Sequence, residues 1–167
     1  QNAKLDSKLN GISNFAKSTI IELRDTIWAM NKSEITFEDL QARIHNFMEK
    51  AQEAKEDIHF DFVVDIALKS KTFSSVQGMN LYRTIQEAIN NSIKYAQPDN
   101  VTVSIEPEES GIEITITDDG KGFDQQTAIM GNGIHNMQKR IQDIGGSFEL
   151  VSKLNEGTII YIRLKNS

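Results

Sequence analysis

The first thirty residues carry apolar side chains at intervals of three and four positions. This spacing places them on one side of a long α-helix, and Gly11 is the only interruption. A narrow stripe sustained over about four heptads is typical of a helix in a two- or four-helix seam, whereas a helix lying on its own domain is the alternative. The stripe consists of Leu5, Leu9, Ile12, Ala16, Ile20, Leu23, Ile27 and Met30.

A second helix is predicted over residues 37–55, where apolar residues again recur at helical spacing. Thr36 and Asp39, just before and within its first turn, have the spacing of a capping box. Residues 58–64 then alternate between apolar and polar side chains, with His59 on the polar side. This alternation is typical of a half-buried β-strand.

The second half of the chain predicts another long helix, which ends before Pro98 because proline disfavours helical backbone at the preceding residue. Two β-hairpins follow, with a glycine-bearing loop and a short helix between them. Paired strands separated by single helices favour an α+β fold, in which helices cover one mixed sheet as a two-layer sandwich behind the long N-terminal helix. The predicted segments are helix 76–96, hairpin 101–118, loop 120–133, helix 134–144 and hairpin 147–165.

Composition narrows the functional classes. The chain has 167 residues, 38% hydrophobic content and a net charge of −6, which predicts a globular core and argues against a nucleic-acid surface. It lacks an apolar run of the roughly 18 residues that cross a bilayer, so we expect no membrane contact from these residues. The absence of cysteine fits a cytoplasmic location, and a membrane anchor elsewhere in a longer protein stays open. The start at Gln1 without Met fits a piece of such a protein.

The segment "QEAINNSIKYA", residues 86–96, concentrates polar side chains on one face of the third predicted helix. At about 100° per residue, Asn91 and Lys94 both fall within about 40° of Glu87. A solvated surface is the ordinary explanation of such a face. Asparagine inside a helix costs a few tenths of a kcal/mol, however, which is a mild indication of use.

Two glycine-bearing segments follow strand and helix boundaries. In "TDDGKGFD", residues 117–124, two carboxylates and two glycines come directly after an apolar strand, where backbone is able to approach a ligand closely. In "GNGI", residues 131–134, glycines open a helix whose free N–H groups attract anions such as phosphate. Each segment alone is also explained by a simple turn.

Together, these three motifs resemble the GHKL or Bergerat ATPase fold shared by gyrase-type topoisomerases, heat-shock chaperones and sensor histidine kinases. The resemblance covers about residues 57–165. The polar helix is similar to the N box, "DDGKGF" and "GNGI" to the two glycine boxes, and Gly157-Thr158 to the closing turn.

Within this fold, the sensor histidine kinases of two-component systems are the best match, since the ending from residue 131 onward is similar to theirs. The short loop between the glycine boxes resembles the nitrate-sensor-like subclass. "STIIELRDTIWAMN" looks like the end of the dimerisation and phosphoacceptor domain of that subclass. The implied organisation is a helix of a truncated dimerisation domain over 1–32, a connecting helix over 33–56 and the ATP-binding domain over 57–167.

The resemblance implies roles for five residues of the polar helix and the strand end. Asn91 offers its amide oxygen to Mg²⁺, which bridges it to the triphosphate of ATP. Glu87 is the catalytic carboxylate, as a base or as the group that orients the nucleophile. Lys94 neutralises phosphate charge, and Tyr95 either contacts the nucleotide or is a core aromatic. Asp118 accepts a hydrogen bond from the adenine amino group.

The resemblance also assigns the glycines and a threonine to nucleotide binding. Gly120 and Gly122 allow backbone to approach the base, and Gly131 and Gly133 hinge a lid that brings N–H groups to the phosphates. Thr158 lies beneath the adenine.

None of the three histidines, His45, His59 and His135, lies in an acceptor motif of the Arg-Glu-Leu-His-Asp type. We therefore expect this chain to bind Mg-ATP without phosphorylating itself. The resemblance implies that the intact protein is a homodimer joined through the N-terminal helix, in which the γ-phosphoryl passes to a histidine elsewhere and then to a response regulator receiver domain.

Three alternatives remain open at the level of sequence. The first is an anti-sigma-type serine kinase with the same pocket. The second is an ATP-binding pseudokinase that acts as a regulatory interaction module. If the motif matches are accidental, the third is an α+β partner-binding domain that has no affinity for nucleotide.

Overall fold

A computed structural model describes residues 2–128 and 131–166 of this protein. The α-helices and β-strands follow the predicted order, with two short strands added, one before the second helix and one before the third. They are α1 (Asn2–Met30), β1 (Glu34–Thr36), α2 (Phe37–Ala54), β2 (His59–Val64), β3 (Thr72–Ser74), α3 (Ser75–Asn91), β4 (Asn100–Glu108), β5 (Gly111–Asp118), α4 (Asn132–Asp143), β6 (Ser147–Lys153) and β7 (Gly157–Lys165).

The main sheet is mixed and has the strand order β2-β4-β5-β7-β6. β2 runs parallel to β4, and the other neighbours are antiparallel. The register pairs Asp118 at the end of β5 with Thr158 at the start of β7, and Thr158 with Ser152 of β6. Polar residues near the ends of three neighbouring strands therefore lie together at one end of the sheet.

The helices α2, α3 and α4 bury one face of this sheet. Alternate residues of the central strands point into the core, as Val103, Ile114 and Ile162 do with no exposed surface, whereas neighbours such as Thr115 and Tyr161 stay partly exposed on the other face. This alternation is the period-2 pattern of a half-buried sheet. The predicted α+β sandwich, with a mixed sheet under helices and a long N-terminal helix, is confirmed.

Among the described residues, α1 packs against the rest of the fold near its C-terminal end. Asp25 and Ala29 are its buried residues, and Trp28 packs partly against the core. Along the rest of the helix the apolar stripe is exposed, for example Ile12 at 66%. Within the described residues, no helix combines the length and the hydropathy that a bilayer crossing requires.

Several local features differ from the predicted elements. The two-stranded sheet in which Ile35 of β1 pairs with Phe73 of β3 was not predicted. The helix predicted over 76–96 is α-helical to Asn91 and then widens into one π turn, Ser92–Ala96. Because an extra residue per turn rotates the side chains that follow, the wheel drawn for an ideal helix is wrong for this last turn.

The predicted capping box at the start of α2 forms only in part. The Thr36 hydroxyl accepts from the Asp39 N–H, but the Asp39 carboxylate instead binds Lys32 at 2.6 Å. That bond, above all, lowers the pKa of Asp39. A complete capping box forms at the start of α3, where Ser74 and Gln77 exchange side-chain and backbone hydrogen bonds.

The loop predicted over 120–133 agrees with the described residues 120–128 and 131, whereas residues 129 and 130 lie outside the described part. α4 starts at Asn132, two residues earlier than predicted. Gly131 is its N-cap residue, with extended backbone, and Gly133 lies in its first turn.

Candidate functional site

α3 and its π turn supply one wall of a cavity of about 540 Å³. Glu87 and Asn91, one helical turn apart, are half-buried, and Lys94 and Tyr95 of the π turn are exposed at the cavity. Tyr95 is 65% exposed, so it is not a core aromatic, and that alternative for Tyr95 is wrong.

Asp118 closes a second wall at the end of β5. Its side chain is buried, at 5% exposure, and both carboxylate oxygens accept a hydrogen bond. The Ser92 hydroxyl donates to Oδ2 at 2.8 Å, and the Gly120 N–H donates to Oδ1 at 3.0 Å. Thr158 lies opposite Asp118 in the register. Its hydroxyl oxygen is 2.8 Å from the hydroxyl oxygen of Ser152, which is a hydrogen-bonding distance.

The cavity brings together nine of the ten residues that the sequence assigned to nucleotide binding or catalysis. Apolar side chains from the sheet and from α4 form the remainder of the lining. The assigned residues that line it are Glu87, Asn91, Lys94, Tyr95, Asp118, Gly122, Gly131, Gly133 and Thr158.

Gly120, the tenth, lies outside the lining. A Cβ on Gly120 would lie 2.4 Å from the carbonyl oxygen of Ala96 and 2.6 Å from its Cβ. The glycine is therefore required for contact between the strand end and the π turn. Its N–H contributes to the site by donating to the Asp118 carboxylate, and Gly120 itself does not line the cavity.

Gly122 and Gly157 fasten the first glycine segment to the β6-β7 turn. Both have left-handed backbone, with φ of 54° and 83°. A Cβ on Gly122 would lie 1.9 Å from the Lys153 carbonyl oxygen, and one on Gly157 would lie 2.0 Å from that of Asp118. In addition, the Asn155 N–H donates to the Lys121 carbonyl at 2.7 Å. These contacts hold Gly122 at the cavity wall.

The second glycine segment faces Glu87. A Cβ on Gly133 would lie 2.6 Å from Glu87 Oε1 and 3.5 Å from Asn91 Nδ2, so this glycine leaves room for both side chains. Gly131 has open space around it. The first turn of α4, including Asn132, therefore presents helix N–H groups beside a carboxylate and an amide.

Asp119, next to Asp118, holds the start of β4 in place. Its carboxylate accepts from the N–H groups of Asp99 and Asn100 and from the Asn100 side chain, at 2.7–2.9 Å. Burial raises the pKa of this carboxyl, but the combined hydrogen bonds outweigh burial and lower the pKa below its ordinary value. Asp119 thus stabilises the backbone at the start of β4, whereas Asp118 lines the cavity.

The basic residues and histidines near the glycine segments lie elsewhere. Lys121, Lys139, Arg140 and His135 are absent from the described lining of the cavity. Arg140 instead accepts a hydrogen bond at its carbonyl from the Asn80 side chain, at 3.2 Å.

Sequence reasoning missed Ser92, Phe123 and Asn132, and the apolar lining from β5, α4, β6 and β7. At about 100° per residue Ser92 falls on the same side of the helix as Ile85, and it is buried. A hydroxyl on an apolar helix face must find a partner inside the protein, and this was the available signal.

The cavity suits a metal ion that takes most of its ligands from water and from a bound phosphate. Among the described residues, no group of three or more His, Cys, Asp and Glu side chains is arranged to hold a metal. Asn91 and Glu87 offer neighbouring oxygens, and Mg²⁺ in nucleotide sites takes few protein ligands besides waters and phosphate oxygens. The donor set fits Mg²⁺ bound together with a nucleotide.

Comparison with known proteins agrees with this geometry. Residues 77–167 match the family described as "Histidine kinase-, DNA gyrase B-, and HSP90-like ATPase". The chain is 27% identical over 160 residues to the "Signal transduction histidine-protein kinase/phosphatase DegS" of Brevibacillus brevis. This match covers 94% of this chain and 40% of DegS. It is 35% identical over 86 residues to the "Oxygen sensor histidine kinase NreB" of Staphylococcus carnosus (strain TM300), covering 50% of this chain and 25% of NreB. The chain thus spans less than half the length of either relative.

A solved structure shares the fold across nearly the whole chain. The Acinetobacter baumannii histidine kinase AdeS superposes with a TM-score of 0.71 at 15% identity, covering 96% of this chain and 83% of that one. The family match over more than half of the chain and this common fold confirm the resemblance found in the motifs. The chain therefore belongs to the histidine kinase-, DNA gyrase B- and HSP90-like ATPase family.

Proposed function

We propose that this chain binds Mg-ATP in the cavity between α3, β5 and α4 and presents the γ-phosphoryl group for transfer to a histidine. The observation that carries the proposal is the convergence of Asn91, Glu87 and Asp118, from two elements distant in sequence, on one cavity. Magnesium, when bound, neutralises phosphate charge and fixes the phosphate oxygens.

The residues of the chain divide this work. The Asn91 amide oxygen holds the ion, and Lys94 at the cavity mouth adds positive charge for the phosphates. The N–H groups of the first turn of α4 approach the same phosphates, with Gly131 and Gly133 leaving the backbone accessible. The Glu87 carboxylate, beside that turn, orients the incoming imidazole or accepts its proton.

The adenine end is formed by buried groups. Asp118 accepts from the exocyclic amino group, and the aliphatic side chains of the sheet flank the ring. Thr158 lies in the same lining, opposite Asp118 on the next strand. A pocket that is largely apolar and has one fixed acceptor is typical of purine recognition.

The phosphoacceptor, in this proposal, is a histidine in another part of the whole protein, and an aspartate of a response regulator receiver domain receives the phosphoryl group next. The similarity to DegS extends over 94% of the chain and includes α1, which favours a histidine kinase over an anti-sigma-type serine kinase. The exposed stripe of α1 supports a homodimer formed through that helix.

Calorimetric titration with Mg-ATP and Mg-GTP tests nucleotide binding. We expect a preference for ATP in the wild type that Asp118→Ala abolishes, because the fixed acceptor for the amino group is lost. Asn91→Ala should weaken binding only when magnesium is present. Equal affinity of the wild type for both nucleotides would contradict the adenine assignment.

Transfer is tested separately with ATP labelled at the γ-phosphate. The chain of 167 residues should stay unlabelled, whereas the full-length protein should label on histidine and lose that label with Glu87→Gln. Strong labelling of His45, His59 or His135 would refute the assignment of the acceptor to another part of the protein. An unlabelled full-length protein that still binds Mg-ATP would support the pseudokinase instead.

A further inference from the structure

Ser92 is a buried hydroxyl that directly contacts the cavity's buried carboxylate. It is the first residue of the π turn, follows Asn91 in the chain and is only 5% exposed. Its Oγ lies 2.8 Å from Asp118 Oδ2 and 3.2 Å from the carbonyl oxygen of Ala88. Both Ser92 and Asp118 line the cavity.

The single hydroxyl hydrogen favours the carboxylate as its acceptor. The contact to Asp118 is the shorter of the two, and hydrogen bonds to an ionised acceptor are stronger than those to a neutral carbonyl. An ionised carboxylate has no hydrogen to offer, so Ser92 is the donor in this pair.

Ser92 and Gly120 together fix the carboxylate of Asp118 at both oxygens. Each carboxylate oxygen has two lone pairs, so one acceptor position remains on each after these bonds. The group therefore faces the cavity as an acceptor with a defined orientation. An amino group on a purine has the matching donor, and a keto oxygen at the same place has none.

We infer that Ser92 is a specificity-determining residue, which makes the site select a 6-amino over a 6-keto purine by holding Asp118 as an oriented acceptor. Ser92 acts through Asp118 and is a positioning residue. The inference depends on the proposed contact between Asp118 and the adenine amino group.

Loss of the hydroxyl should change selectivity more than packing. Without Ser92, Oδ2 loses the hydroxyl that donates to it, and the carboxylate is free to rotate away from the orientation that the amino group needs. Serine to alanine removes one oxygen atom, so the fold is expected to persist.

The test is calorimetric titration of wild type and Ser92→Ala with three magnesium complexes: ATP, GTP and purine riboside triphosphate, whose ring carries hydrogen at position 6. We expect Ser92→Ala to weaken ATP about tenfold and to change the other two less than about twofold, since only ATP uses the oriented acceptor. The ligand pair ATP and purine riboside triphosphate forms a double cycle with the substitution and isolates the contribution of the amino group.

Thr84→Val is the matched control. Thr84 is a fully buried hydroxyl on α3, and its Oγ1 has no hydrogen-bond partner among the residues that the structure describes. Thr84 is also absent from the described cavity lining. Its substitution should leave all three affinities unchanged, and thermal unfolding of each variant verifies that it is folded.

The outcomes separate this inference from the proposed function. An equal loss for all three ligands in Ser92→Ala would assign Ser92 a structural role and overturn the inference. If Asp118→Ala abolishes the preference for ATP and Ser92→Ala retains it in full, the inference fails while the proposed function stands. A wild-type protein that binds no nucleotide refutes both.

Discussion

At the scale of single residues, the same backbone conformation has different consequences at two glycines. Gly122 and Gly145 both have positive φ, 54° and 75°. A Cβ on Gly122 would collide with the Lys153 carbonyl oxygen at 1.9 Å, whereas one on Gly145 would meet nothing within 4 Å. Only at Gly122 does the requirement for glycine include packing as well as conformation.

Substitution of each glycine by alanine should separate the two effects. Gly145→Ala incurs only the left-handed strain and should lower the free energy of unfolding by about 1 kcal/mol. Gly122→Ala must also move the backbone at Lys153, so we expect a loss of about 3 kcal/mol and weaker Mg-ATP binding. Urea unfolding and nucleotide titration measure these effects, and equal losses in both variants would contradict the packing argument.

Asp119 predicts a pH dependence of stability. Its pKa in the folded protein is below the ordinary value of 3.8, so its hydrogen bonds stabilise the fold fully above about pH 4 to 5, and this contribution disappears as the pH falls through the folded pKa. Asp119→Asn should therefore destabilise the protein at pH 7 more than at pH 3, measured by urea unfolding at both values. Asp6→Asn, at an exposed position of α1, is the control and should show no such difference.

At the scale of elements, one buried carboxylate joins three helices. Asp25 of α1 pairs with Arg43 of α2, and its other oxygen lies 3.7 Å from Arg83 of α3. The Arg43 guanidinium also lies 4.1 Å from the Trp28 ring, and Arg83 donates to the Glu22 carbonyl at 3.1 Å. Because α3 also carries Glu87 and Asn91, to which we assign the catalytic and metal-binding roles, this junction ties α1 to the wall of the cavity.

Removal of the carboxylate should loosen α1. Asp25→Ala leaves two partly buried arginines without their shared partner, and we expect a loss of about 3 kcal/mol in the free energy of unfolding. Hydrogen exchange should increase in the last turns of α1. The matched change Asp6→Ala, at an exposed position of the same helix, should have little effect, and similar losses in both variants would refute a structural role for the junction.

The sequence predicted the longer elements and missed the short ones for a physical reason. Helices and strands of six or more residues are long enough to show a period of 3.6 or 2, because their apolar side chains lie on one face. β1 and β3 have three residues each, too few for a period, and each exists only because the other pairs with it. Ser92 was missed in the same way, since its partner Asp118 is 26 positions away and only the fold brings them together.

At the scale of the whole molecule, α1 is long and mostly uncovered. Its 29 residues span about 43 Å at 1.5 Å per residue, and its stripe faces solvent along most of that length. A continuous exposed apolar stripe of this kind marks an interaction surface. Its heptad-like spacing suits a second copy of the same helix better than an irregular partner.

A charge placed in the stripe should therefore prevent association. Ile12→Glu buries an uncompensated carboxylate from each subunit in the proposed seam and should raise the dimer dissociation constant about a hundredfold or more. Ser18→Glu is the matched control, because Ser18 lies on the opposite side of the helix from the stripe at about 100° per residue. Sedimentation velocity over a range of concentrations measures both, with Mg-ATP titration to show that the cavity is intact in each variant. A wild-type chain that stays monomeric throughout that range, or a Ser18→Glu variant that dissociates as readily as Ile12→Glu, would refute this seam as the dimer contact.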